Sequence, residues 1–127
     1  MKFLLDTNII IYREDPEIID EKLANLNRIV NKSSTFSFII HPVNYDEISK
    51  DNQLERKKII LSKLESYPQL TNPPEMKADP KFMKSINIDR SNIHDYNNAL
   101  LLYCLHRNAV DFLITEDKGI IAKAIEL

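Results

Sequence analysis

The sequence predicts an α/β fold organised on a parallel β-sheet, and three observations carry that expectation. Phe3-Leu4-Leu5, Phe36–Ile40 and Asp111–Thr115 are short, largely apolar runs without polar alternation, as suits strands buried on both faces of a sheet. The longer stretches between them repeat apolar residues at helical spacing, and strands alternating with helices mark parallel connections. Acids stand where the first and last runs stop, at Asp6 and Asp117. Ligands of open parallel sheets bind in the crevice beyond the carboxyl ends of the strands.

Composition sets the bounds. A hydrophobic fraction of 43% and a charged fraction of 28% over 127 residues suit one globular domain, residues 1–127, with one sizeable core. A net charge of −2 and a pI of about 5.9 leave no global basic field. That argues against a broad electrostatic grip on many phosphates and leaves a local site open. Cys104 is the only cysteine, which excludes an intramolecular disulfide and a Cys-based zinc cluster. Gly119 is the only glycine, so neither a P-loop nor a glycine-rich dinucleotide turn can be built. Phosphate chemistry would have to run through side chains or metal ions. With no signal peptide and no membrane-length apolar run, a soluble cytoplasmic protein is expected.

The elements follow in order. The first strand stops at Asp6, beside the polar Thr7 and Asn8, and Asp6 also suits the cap of a helix starting near Ile9. Pro16, Ile18, Ile19, Leu23, Leu26, Ile29 and Val30 predict a helix. After the strand at Phe36–Ile40, His41-Pro42 opens a helix that carries Glu47. Leu54 to Leu64 predicts another, with Ile59, Ile60, Leu61 and Leu64 apolar and Arg56-Lys57-Lys58 on a solvated face. Pro68, Pro73, Pro74 and Pro80 make Tyr67–Pro80 a long irregular loop before a short helix at Lys81–Ile86. Asn92–Asn108 is the most apolar helix and should pack centrally, with Cys104 as a small buried hydrophobe. After the last strand, Gly119 is expected to turn with positive φ, and Ile120, Ile121, Ala124 and Ile125 form a final helix.

The acids can then be placed. Asp6 and Asp117 fall at strand ends on one sheet edge, and Glu47 lies about one turn into the helix after the second strand. Asp95 lies in the first turn of the central helix, with Asn98 three residues on. Clustered carboxylates repel one another unless cations sit among them. Oxygen-rich sites suit Mg²⁺ or Mn²⁺, which activate water and stabilise the oxygens of an in-line phosphoryl displacement. Each acid has a plainer reading, Asp95 as a dipole partner of its helix and Asp117 as a cap, but these would all have to hold at once. His41 reads as a strand-end hydrogen bonder. His94 and His106 read as helix residues without the pattern of zinc ligands. His94 beside Asp95 could touch a substrate, and Arg13, Lys50 and Lys118 are candidate phosphate contacts.

The segments FLLDTN (3–8), HPVNYDEI (41–48), NIHDYNNALLL (92–102) and DFLITEDKGI (111–120) together resemble the PIN-domain family. These are small α/β nucleases that include the ribonuclease toxins of toxin–antitoxin pairs. The resemblance spans nearly the whole chain and implies a three-layer α/β/α fold with a central parallel sheet. It implies an Mg²⁺- or Mn²⁺-dependent endoribonuclease whose catalytic acids match Asp6, Glu47 and Asp117, with Asn8 and Thr115 in support. The family position just before Ala99-Leu100-Leu101 falls on Asn98, where many relatives have Asp. Asp95 could supply that carboxylate, and Asn98 can still ligate through its carbonyl oxygen without bringing charge. The expected metal donors are therefore Asp6, Asp95, Asn98 and Asp117.

Such domains usually close with one more strand, and none is read after the final helix. The expectation is a fold without it, or an N-terminal part of a longer chain such as a fusion ahead of an acetyltransferase. The implied partners are an RNA substrate, an antitoxin or fused C-terminal domain, and a second copy in a homodimer, with no membrane. The alternative function is a non-catalytic module that binds RNA or protein, or regulates a fused domain. Asn98 and the acidic pI favour it.

Overall fold

The computed structural model describes residues 1–15, 24, 25, 28, 35–89 and 91–125. Strand β1 (Lys2–Leu5) is central, flanked by β2 (Ser37–Ile39) and β3 (Phe112–Ile114) in the order β2-β1-β3, all parallel. Leu4 pairs with Ile39 on one side and Leu113 on the other. An isolated parallel bridge from Ile40 to Gln69 extends the β2 side. The helices are α1 (Thr7–Glu14), α2 (Pro42–Ser49), α3 (Leu54–Leu64), α4 (Pro80–Ser85), α5 (Ile93–His106) and α6 (Lys118–Ile125), with a 3₁₀ turn at Met76–Ala78. The helix expected from Pro16 to Val30 lies outside the described residues, apart from the helical Ala24, Asn25 and Arg28. Among the described residues no helix is long and apolar enough to cross a membrane.

Consecutive strand residues point to opposite faces, and this divides the core. Leu5, Phe38 and Ile40 pack with Ile9 and Ile10 of α1, Ile48 of α2 and Ile60 and Leu64 of α3. Leu4 and Ile39 pack on the other face with Leu101 and Cys104 of α5. The sheet is thus covered on both sides, which is why its strands are apolar without alternation. Cys104 is fully buried, and burial pushes its thiol up to about 11, so it packs as a hydrophobe. The proline loop packs inward through Met76, which meets Phe82, Ile86, Ala99, Leu102 and Tyr103.

Gly119 departs from expectation. It has no positive φ and lies in the first turn of α6, where its N–H donates to Asp117 Oδ1 at 2.8 Å. A Cβ there would stand 2.9 Å from that oxygen, so the missing side chain serves a close approach rather than a turn. Among the described residues the left-handed positions are instead Asn72, Asn87 and Asn108, asparagine being the residue that tolerates this region best after glycine.

Candidate active site at the carboxyl edge of the sheet

The chain leaves β1 toward β2 on one side and returns to β3 on the other, so β1 and β3 form a topological switch point. Asp6 follows β1 there and its backbone N–H donates to Ile114 O at 3.0 Å. Asp6 is 2% exposed and caps α1, with Oδ1 accepting the Thr7 N–H at 2.8 Å. Its Oδ2 accepts the Thr115 hydroxyl at 2.8 Å, and that hydroxyl in turn accepts the Asp117 N–H at 2.9 Å. Thr115 is thus oriented by one acid's backbone to bond the other acid's side chain.

A second hydroxyl does the same on the β2 side. The Asn44 amide donates to Thr7 Oγ1 at 2.9 Å, which directs the Thr7 proton to Glu47 Oε1 at 2.7 Å. Asn44 is fully buried, and its Oδ1 accepts the His41 N–H at 2.8 Å in a capping box that starts α2. His41 acts as expected, its Nδ1 accepting the Val43 N–H at 2.9 Å. Burial lowers its pKa, which favours the neutral ring.

From α5, His94 reaches between the acids. Its Nε2 lies 3.2 Å from Asp117 Oδ2 and its Nδ1 3.5 Å from Glu47 Oε2. Asn98, one turn on, donates to Asp117 Oδ2 at 3.3 Å, while its Oδ1 is buried without a hydrogen-bond partner. Burial holds Asp6 above the usual carboxylate range; the Thr115 and Thr7 bonds oppose this, and the charges of Glu47 and Asp117 add to it. That mutual repulsion shows the acids to be neighbours electrostatically. For Asp117, burial is outweighed by the Ile120 and Gly119 N–H groups and His94, and its pKa falls. For His94, partial burial is outweighed by Asp117 and Glu47, and its pKa rises.

Of the sequence-expected residues, Asp6, Glu47, Asn98, Thr115 and Asp117 share this network. The carboxylate of Asp95 is engaged elsewhere, with Lys123 Nζ at 2.8 Å and the Asp89 N–H at 2.9 Å, and the Lys123 bond lowers its pKa. Asn8 is exposed, and the neighbouring Thr7 makes the contacts instead. The plainer readings of Asp6 and Asp117 as helix caps are also correct, so both roles coexist. Arg13 lies over the Phe38 and Tyr67 rings and bonds the Tyr67 hydroxyl and Glu14. In the basic run, Arg56 pairs with Asp51 at 2.7 Å.

Asn44 and the bridging place of His94 went unread in the sequence. The spacing of His41 and Asn44 signals a capping box, but nothing local reveals that the second amide proton reaches Thr7.

The donors at this edge are hard carboxylate, amide and hydroxyl oxygens, which is the chemistry of an Mg²⁺ or Mn²⁺ site. The orphaned Asn98 oxygen is a further donor without a protein partner. Among the described residues no group of three or more His, Cys, Asp or Glu side chains is arranged to hold a metal ion. His94 instead stands between Glu47 and Asp117, and their carboxylates raise its pKa. Comparison of the chain with family models, curated proteins and solved structures finds no match in any of the three.

Proposed function

We propose that this edge is the active site of a metal-dependent endoribonuclease, in keeping with the PIN-like sequence motifs. The observation that carries the reading is the hydrogen-bonded chain through Thr7 and Thr115 that ties Asp6, Glu47 and Asp117 together at the β1/β3 switch point. Buried like charges are costly, and a divalent cation is the usual compensation. Asp6, Asp117 and the Asn98 carbonyl oxygen are the side chains that would hold Mg²⁺ or Mn²⁺. When bound, such an ion lowers the pKa of water and stabilises the charge of a phosphoryl displacement.

The residues of the chain divide the remaining work. Thr7 fixes the rotamer of Glu47, which orients water and takes up its proton. Thr115 fixes Asp6 in the same way. Asp95, committed to Lys123, anchors α6 against α5. RNA, with an antitoxin, a fused domain or a second copy as protein partner, belongs to this proposal.

A second reading has its own observation. His94 spans Glu47 and Asp117 and occupies the space between the two carboxylates, as suits a module that binds RNA or a protein, or regulates a fused domain, without cutting. Cleavage of single-stranded RNA with Mn²⁺ decides between them. Asp6→Asn should lose at least about a hundredfold in rate, and Asn98→Asp should cut faster than the parent. If neither the parent nor Asn98→Asp cuts or binds Mn²⁺, the nuclease reading fails.

A further inference from the structure

A second concavity lies along the same sheet edge, beyond the end of β2. It has a volume of about 560 Å³ and is lined by His41, Pro73, Pro74, Met76, Lys77 and Tyr96, among others. That volume is within the range of small-ligand pockets, roughly 300–1,000 Å³. β2 adjoins β1, and neighbouring strands are about 4.8 Å apart, so the residue after β2, His41, stands close to Asp6 after β1. The two places are joined through bonds already described: His41 N–H to Asn44, Asn44 to Thr7, Thr7 to Glu47. Tyr96 is two residues from both His94 and Asn98, which puts it on the opposite side of α5. The first turns of α5 thus carry His94 and Asn98 toward the acidic edge on one side and Tyr96 toward the pocket on the other.

His41 is the most telling wall of this pocket. It is 7% exposed, and its Nδ1 accepts the Val43 N–H, so the ring proton must sit on Nε2. Among the described residues no hydrogen bond from that Nε2–H is made, which leaves it available to an acceptor in the pocket. The other walls are mostly flat or soft, a tyrosine ring, two prolines and a thioether, with one carboxylate, Glu75, among them. The Lys77 ammonium lies over the Tyr96 ring, 6.0 Å from its centre, and brings a positive charge to the pocket.

We propose that this pocket is a nucleobase subsite, receiving the base of a nucleotide next to the phosphate held in the acidic cleft. The base stacks on Tyr96, a ring or carbonyl acceptor of the base takes the His41 Nε2–H, and Lys77 meets the flanking phosphate. The proposal rests on the RNA reading of the cleft for the identity of its ligand, and can be tested apart from it.

The test is an NMR titration without divalent metal, using the four nucleoside 5′-monophosphates and, as the base-free probe, ribose 5-phosphate. At least one nucleotide should shift the Tyr96 and His41 ring signals, and ribose 5-phosphate should leave them in place. Tyr96→Leu should weaken that nucleotide about tenfold, as loss of a base-stacking ring does. His41→Asn keeps an acceptor for the Val43 N–H but removes the inward donor, and should weaken it about fivefold. Because it keeps the cap, its fold can be checked in the same spectrum. If no nucleotide shifts these signals, or ribose 5-phosphate shifts them equally, the subsite is overturned whatever the RNA cleavage assay shows. Nucleotide binding without Mn²⁺-dependent cleavage supports the subsite and overturns only the nuclease reading.

Discussion

Asp6 and Asp117 both follow a parallel strand, Asp6 directly after β1 and Asp117 past Thr115 and Glu116, and each caps the helix that comes next. They nonetheless titrate in opposite directions. Asp6 is enclosed by the sheet and receives the Thr7 N–H and the Thr115 hydroxyl, too little to offset burial and two neighbouring negative charges. Asp117 lies nearer solvent and receives two helix N–H groups, the Asn98 amide and His94. The difference teaches that a strand-end acid is tuned by how many donors the fold turns toward it.

Thr115 joins the two acids, so removing its hydroxyl breaks the comparison most severely. Thr115→Val keeps the shape but strips Asp6 of one donor and the Asp117 N–H of its acceptor. It should cost about 1–3 kcal/mol at pH 7, read by urea unfolding, and should raise the pKa of Asp6 further.

The next test uses pH. A carboxyl raised in the folded state destabilises that state once it ionises, so the Asp6 contribution is most favourable below pH 3.8 and is lost as pH rises through the folded pKa. Asp117, lowered in the folded state, contributes above pH 3.8 and loses that contribution as pH falls through its folded pKa. Relative to the parent, Asp6→Asn should therefore gain stability between acid and neutral pH, and Asp117→Asn should lose it. Parallel profiles for the two variants would refute the contrast.

Gly119→Ala probes the donors of Asp117 alone. The new Cβ would displace Oδ1 from the Gly119 and Ile120 N–H groups. The lost cap, about 1 kcal/mol, opposes a similar gain in helix propensity, so thermal unfolding should move by no more than a few degrees. The smallest effect is at His94, which should titrate above 6.5 in the parent and lower in Asp117→Asn, followed by its ring signals in NMR.

Much of the architecture was legible because it depends on local pattern. Phe3-Leu4-Leu5 and Phe36–Ile40 announced strands buried on both faces, and Leu54–Leu64 matched its apolar spacing to the residue. Asp6 and Asp117 were legible for the same reason, since a strand that ends at an acid puts it on the sheet edge. The facing of α5 was not. Asp95 carries the charge and Asn98 does not, yet it is Asn98 that is turned toward Asp117 while Asp95 pairs with Lys123 on α6. Which of two positions three residues apart meets the cleft depends on the rotation of the helix against the sheet.

The alternation of strands and helices and the placing of Asp6 and Asp117 after strands were determined by the sequence alone, because apolar spacing and strand ends are local properties. Only the tertiary structure decided that Asn44 ties Thr7 to Glu47, that His94 lies between two carboxylates, and that Gly119 serves an approach rather than a turn. Those outcomes rest on side chains distant in the chain meeting within 3 or 4 Å, and packing, not sequence spacing, brings them there.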